Sequence, residues 1–304
     1  MNSFNHVLRE QKTPSDIRSI LYHIARSVKY VNFSLRAGNT GAAASQNSSG
    51  EEQLKLDVIS DQIVIEELKN SGLVACCASE EQDDLIYFSA ERGKYTVAFD
   101  PLDGSSLVSA NLTIGSIFGI WAGSELKGKK GNELMASAYA IYGPRVELVV
   151  ALKGKGVFSF EMNDVGEFML SEKDFQLKPT TKYFAPGNLR ATAVNPKYLT
   201  LVEKYIAEAR TLRYSGGMVP DLHHMLKKGE GIFTYPGCAK HPNGKLRLSF
   251  ECAPFAMIFE EAGGAALDAN GTRIMDLEII DPHQRTTIFI GSKDEVKNAV
   301  EALK

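Results

Sequence analysis

Cysteine is scarce in this 304-residue chain, and its four representatives, Cys76, Cys77, Cys238 and Cys252, lack the paired spacing of a zinc site. Neighbours on a strand point to opposite faces, so Cys76 and Cys77 are expected as buried free thiols, not as a bridge. Charge of one sign is lacking too. A net charge of −3 and a pI near 6.1 give no basic field of the kind that captures nucleic acid or an anionic membrane. No apolar run is long enough to span a bilayer. The N-terminus shows neither a signal-peptide core nor an Arg/Ser-rich, acid-poor transit pattern. A cytoplasmic protein is expected, with a plastid location open if a transit peptide has been trimmed. Metalloprotease histidine pairs, a Walker loop and a Gly-x-Ser-x-Gly elbow are all missing, which removes nucleotide-driven and serine-hydrolase chemistry.

What the chain does carry is carboxylate at the ends of apolar runs. YTVAF at 95–99 reads as a buried strand that runs into DPLDGSS at 100–106. Proline fixes its own φ and disfavours helical geometry in the residue before it, so the chain turns there and Asp100 and Asp103 leave the sheet edge together. Gly104 permits close backbone approach, and the N–H groups of Ser105 and Ser106 can open a short helix that accepts an anion. A second apolar run, 73–78, discharges Ser79, Glu80 and Glu81, and 245–250 alternates until Glu251. Glu80, Glu81, Asp100, Asp103 and Glu251, each read at a strand end, suit roughly two to three divalent cations, because Mg²⁺ takes a few carboxylates, waters and substrate oxygens. That is equipment for phosphoryl transfer. Arg213, Tyr214, Tyr235, Lys245 and Arg247 form a separate set of phosphate partners, so a bisphosphate would engage both ends.

Around these stretches the pattern alternates. Helical spacing predicts helices over 14–36, 60–69, 196–209, 219–228 and 254–262, with strands at 113–121, 136–142, 146–152 and 156–160. Residues 37–50 contain almost no large apolar side chain and predict a surface loop, linker or lid, that delivers Glu51, Glu52 and Asp57. Polar alternation over 161–179 marks the edge of a first half, 1–180, that holds metal and one phosphate; a second half, 181–304, holds the sugar and the distal phosphate.

Assembled in this way, the chain resembles the sugar bisphosphatase family typified by fructose-1,6-bisphosphatase, from its first helix to its last. KLDVISD at 55–61, SEE at 79–81, GKYTVAFDPLDGSS at 93–106, NGKLRLSFECAP at 243–254 and EAGG at 261–264 carry the resemblance. FGIWAGSELKG at 118–128, IYGPRVELVVALKG at 141–154, FAPGNLRAT at 184–192 and TLRYSGGMVPD at 211–221 are closer to its sedoheptulose-1,7-bisphosphatase branch.

The resemblance implies a layered α-β-α-β-α sandwich with two mixed sheets. It also implies Mg²⁺ or Mn²⁺, two to three per active site, on Glu80, Glu81, Asp100, Asp103, Glu251 and the carbonyl of Leu102. Asp57 and Glu81 would orient and deprotonate the attacking water, and Glu51 stands where the family carries a loop aspartate. Gly104, Ser105 and Ser106, beside Asp103, would hold the 1-phosphate. Tyr214, Tyr235 and Lys245 would hold the distal one, with Asn188 and Arg190 alongside. Arg213 would reach a neighbouring subunit's site, which implies a dimer or tetramer. The activity implied is hydrolysis of sedoheptulose 1,7-bisphosphate to the 7-phosphate, in the Calvin cycle or the pentose-phosphate network. The alternative is fructose 1,6-bisphosphate, or both. A non-catalytic metal-binding scaffold is the rival from another class, and the intact carboxylate set speaks against it.

Overall fold

The computed structural model describes residues 2–37, 42–46, 52–88 and 93–304, the backbone alone at 42–46 and 52–54. The chain begins with α1 (Phe4–Glu10), α2 (Ser15–Arg36), β1 (Ala42–Gln46), β2 (Glu52–Leu54) and α3 (Lys55–Asn70). Then come β3 (Val74–Ser79), β4 (Ile86–Tyr87), β5 (Tyr95–Asp103), β6 (Ile114–Ala122), β7 (Leu134–Tyr142), β8 (Val146–Leu152), β9 (Gly156–Met162) and β10 (Phe168–Lys173). The remainder is β11 (Tyr183–Pro186), α4 (Pro196–Ala207), β12 (Thr211–Leu212), α5 (Met218–Lys228), β13 (Ile232–Tyr235), α6 (Ala253–Glu261), β14 (Ala265–Leu267), β15 (Ile288–Gly291) and α7 (Lys293–Glu301).

An eight-stranded sheet has the order β10-β9-β8-β7-β6-β5-β3-β4, and a five-stranded sheet the order β12-β11-β13-β15-β14. Both are mixed: β3 runs parallel to β5 in the first, and β11 parallel to β12 and β13 in the second, the other pairs being antiparallel. Side-chain patterning sets the layers. β8 is buried at every position, as a strand covered on both faces must be. α6 is buried nearly all round and lies between the sheets, packing on β7 and β8 on one side and β14 on the other. α5 shares that middle layer, against β6, β7 and β13. α2 buries one stripe, Ile17, Ile20, Leu21, Ile24, Val28 and Val31, and with α1 and α3 covers the outer face of the large sheet. α4 and α7 cover the outer face of the small one. The result is the five-layered sandwich expected, and all four cysteines are buried free thiols.

Three local expectations are corrected. Residues 42–46 form a strand that pairs antiparallel with 52–54, where a loop was expected; the rest of that stretch, Glu51 included, lies outside the described residues. The helix read from residue 60 begins at Lys55, because LKLDVI continues the helical pattern upstream, so Asp57 belongs to its first turn. Glu251 is not at a strand end. It sits in a π-helical turn, Leu248–Cys252, that opens α6; wide turns of this kind accompany functional sites because they re-aim a side chain.

β5 also continues through Pro101. Asp100 pairs with Ile117 but Asp103 pairs with Gly115, a slip of one residue that marks a bulge. In a regular strand residues three apart face opposite sides of the sheet; one extra residue brings Asp100 and Asp103 to the same side. Pro101 is tolerated in the bulge, where no ladder N–H is required, and its carbonyl accepts the Ser116 hydroxyl at 2.7 Å. Opposite Asp103, Gly115 lets α5 approach the sheet. A Cβ there would meet Val219 Cγ1 at 2.4 Å and the Ala140 carbonyl oxygen at 2.6 Å. Gly115→Ala is therefore expected to cost about 1–3 kcal/mol by overpacking. Urea unfolding measures this, and an unchanged midpoint would show that α5 does not need this close approach.

Candidate active site

Separate elements deliver the carboxylates. Asp100 turns back so that its Oδ1 accepts the N–H of Leu102 at 2.9 Å. Asp103 is met by the N-terminus of α5: Met218 N–H donates to Oδ1 at 3.3 Å and Val219 N–H to Oδ2 at 2.6 Å, where the helix dipole also favours a negative group. Within the π turn, Arg247 N–H donates to Glu251 Oε2 at 2.6 Å. Oxygens of Asp100, Asp103 and Glu251 lie within 4.8 Å of one another, the one group of metal-ligand type this close among the described residues. Glu80 and Glu81 occupy the turn after β3, tied to the sheet by Glu80 N–H donating to the Phe99 carbonyl at 3.1 Å. Arg247, read from the sequence as a phosphate partner, is buried and pairs with Glu80.

Burial sets the electrostatics. It pushes Asp103 up to about 7 against the pull of the two α5 N–H donors, and Glu251 up to about 8, with Glu80 and Asp103 adding repulsion and Arg247 opposing. Asp100 rises well above the usual carboxylate range for the same first reason, with Glu80, Asp103 and Glu251 adding to it. Buried oxygens that hold one another protonated are a donor set that a hard divalent cation satisfies, because it supplies the positive charge the site is short of.

A cavity of about 200 Å³ opens over this cluster. Asp57, Glu80, Glu81, Asp100, Leu102, Asp103 and Glu251 line it. Gly104, Ser105 and Ser106 line it as well; Gly104 takes φ +81° and caps a 3₁₀ turn, Ser105–Ala110. Tyr214, Tyr235 and Lys245 also line it, with Phe233, Leu246 and Arg247. Tyr214 donates from its hydroxyl to the Gly187 carbonyl at 2.9 Å, and burial raises the Tyr235 phenol to about 12. Asn188 is buried outside the lining and donates from Nδ2 to the Pro236 carbonyl at 2.8 Å, so it braces the loop after Tyr235. Arg190 and Arg213 are exposed and do not line the cavity; Arg213 lies over the Tyr183 ring at 5.8 Å and donates to Leu212 O. Sequence reasoning missed Gly216, Gly217 and Met218 in the lining, although a glycine pair just ahead of a helix is a signal of close approach. Asp221, which accepts the Ser215 N–H at 2.8 Å and holds that loop, was missed as well.

Two mixed sheets, a buried carboxylate cluster and a cavity that also takes in Tyr214, Tyr235 and Lys245 fit a hydrolase of phosphoric monoesters. Residues 3–173 match the family model described as fructose-1-6-bisphosphatase, N-terminal domain, and residues 177–304 the model for its C-terminal domain. A fructose-1,6-bisphosphatase class 1 of Geobacter sulfurreducens is 44% identical over 97% of this chain and 93% of its own length. A chloroplastic sedoheptulose-1,7-bisphosphatase of Triticum aestivum is 38% identical over 99% of this chain and 77% of its own. Among solved structures, a Toxoplasma gondii protein assigned as a sedoheptulose-1,7 bisphosphatase superposes with a TM-score of 0.92 at 31% identity, covering 99% of this chain and 98% of that one. Leishmania major fructose-1,6-bisphosphatase in its holo form gives 0.90 at 32%, with the same coverage. The chain belongs to the fructose-1,6-bisphosphatase family, whose members are sugar bisphosphatases. Among the described residues no helix is long and apolar enough to cross a membrane.

Raised carboxylate values have a stability signature. A group that holds its proton more tightly when folded than when unfolded contributes stability below the unfolded value, near 4, and loses it as pH rises through the folded value. For Asp103 and Glu251 that loss falls between about pH 4 and pH 8. His223, which burial lowers to about 4, and His224, also lowered by burial, act oppositely, but only below about pH 6.5. In chelating buffer the unfolding free energy should therefore fall from pH 6.5 to 8.5, by no more than about 1.4 kcal/mol per pH unit per titrating group, and Glu251→Gln should flatten the decline. A flat or rising wild-type profile would contradict the assignment.

Proposed function

We propose that this chain hydrolyses the 1-phosphate of ketose bisphosphates, taking both fructose 1,6-bisphosphate and sedoheptulose 1,7-bisphosphate. The observation that carries the reading is one cavity lined both by the carboxylate cluster and by Tyr214, Tyr235 and Lys245. Relatives named for the six-carbon sugar reach 44% identity against 38% for the wheat sedoheptulose enzyme, which supports fructose bisphosphate as the principal substrate over the sedoheptulose reading of the motifs. The Toxoplasma structure supports retaining the second. One added carbon is resolved by only about 1–3 kcal/mol, so dual activity is expected.

Glu80, Glu81, Asp100, Asp103, Glu251 and the Leu102 carbonyl would hold two to three Mg²⁺ or Mn²⁺ ions. Once bound, the ions neutralise phosphate charge and lower the pKa of water. Asp57 and Glu81 hold the attacking water and take its proton. The N–H groups of Ser105 and Ser106, opened by the left-handed Gly104, hold oxygens of the 1-phosphate. Lys245 supplies a point charge to the distal phosphate while the hydroxyl of Tyr235, and that of Tyr214 once turned from the Gly187 carbonyl, fix its direction. Leu212 beside Arg213, and Leu189 and Val194 on the segment after β11, are exposed apolar side chains, which supports a homo-oligomer in which Arg213 serves a neighbouring site.

Phosphate release from both bisphosphates, assayed side by side with Mg²⁺, is expected to detect both, with fructose bisphosphate at least equal in kcat/KM. Release from neither overturns the reading. Asp103→Ala should lower kcat by at least about 100-fold with folding intact. Lys245→Ala should raise KM for the bisphosphates by about 10- to 100-fold, the loss of a charge-assisted contact, and leave fructose 1-phosphate hydrolysis unchanged. An equal penalty on both substrates would remove Lys245 from the distal site.

A further inference from the structure

Asp61 lies in α3 one turn after Asp57, so the two share a face. It is 1% exposed, and both of its oxygens are engaged. The Ser79 hydroxyl donates to Oδ1 at 2.5 Å and the Gln82 side-chain amide donates to Oδ2 at 2.5 Å. Ser79 and Gln82 bracket Glu80 and Glu81. The same Ser79 oxygen accepts the Glu81 N–H at 3.2 Å, so the hydroxyl relays the grip of Asp61 to the backbone of a proposed ligand. From the other side, the Gln82 carbonyl lies 2.8 Å from His283 Nε2, and that ring meets the edge of Phe250, the neighbour of Glu251, at 5.1 Å between centroids.

We propose that Asp61 is a positioning residue for the divalent-cation site: it fixes the direction in which Glu80 and Glu81 present their carboxylates, and so sets cation affinity without touching the cation. The inference rests on reading Glu80 and Glu81 as ligands. A purely structural role is a poor account of Asp61. Burying a carboxylate against neutral donors is expensive, and a core position serving stability alone would be better filled by an apolar residue of similar volume. What an apolar residue cannot do is hold two donors at a fixed separation on either side of a two-residue turn. Groups that hydrogen-bond a ligand typically change metal affinity by about 10- to 100-fold when lost, and Asp61 acts one step further out, through Ser79.

The test is Mn²⁺ binding to the substrate-free protein, by calorimetry and by the resonance signal of unbound Mn²⁺, with melting temperatures in chelating buffer alongside. Asp61→Ala should weaken binding by about 10- to 100-fold. Asp61→Asn keeps an acceptor for Ser79 and can meet a turned-over Gln82 amide, so it should recover to within about threefold of wild type. Glu67→Ala breaks contacts of the same helix to His23 and Arg26, at 3.0 and 3.3 Å, and should lower the melting temperature while leaving Mn²⁺ affinity unchanged. If Asp61→Ala does not fold, Ser79→Ala and Gln82→Ala, each removing one arm, decide the matter. Weakened binding in both supports the proposal, and wild-type affinity in both overturns it. Wild-type protein that binds no Mn²⁺ overturns the ligand reading and this inference together, whereas normal wild-type binding with unaffected variants overturns this inference alone.

Discussion

Crowding carboxylates into a protein interior is the constraint on which the rest of this structure depends. Asp100, Asp103 and Glu251 sit within reach of one another and out of water, an arrangement that an isolated chain would avoid by protonating them. The fold answers with backbone donors: the first turn of α5 on Asp103, the π turn on Glu251, and the bend of the strand on Asp100. Each donor belongs to a different element, so the cluster cannot assemble until the large sheet and the helices of the middle layer have come together. The middle layer, usually described as packing, is here also an electrostatic part.

Much of this was legible in the chain. Apolar runs ending in acid marked Glu80, Glu81, Asp100 and Asp103, because a buried strand has a strong pattern and a charged end is conspicuous against it. Glu251 was found for a partly wrong reason: alternation over 245–250 looks like a strand, and the π turn that carries the residue depends on tertiary contacts that no local pattern records. Asp57 was placed near a helix but not in it, since helix starts are blurred by neighbouring strand formers. The pairing of Arg247 with Glu80 joins residues 167 positions apart and has no local signal. Asp61 closes the KLDVISD stretch as a polar residue of a helix, and nothing in its neighbours says that two donors await it across the layer.

The carboxylates and the tyrosines that share the cavity are carried by different sheets. The carboxylates belong to β5, the turn after β3, and the joint before α6, whereas Tyr235 ends β13 in the small sheet and Tyr214 is hung from Gly187 in the loop after β11. A shift of one sheet relative to the other would alter the span between the carboxylates and Tyr235 without changing the carboxylate geometry. Members of one family acting on sugars of different length fit that division.

The bulge in β5 has a consequence for how such a chain can change over generations. Substitution at Leu102 or Pro101 alters a side chain and leaves the direction of its neighbours intact. Gain of a single residue between Asp100 and Asp103, beside the bulge, would turn one of the two acids toward the opposite helical layer, and loss of one would flatten the bend in which Asp100 accepts the Leu102 N–H. The spacing, more than the identity of the residues within it, is what drift cannot touch: point changes there are survivable experiments, and a three-nucleotide slip is not.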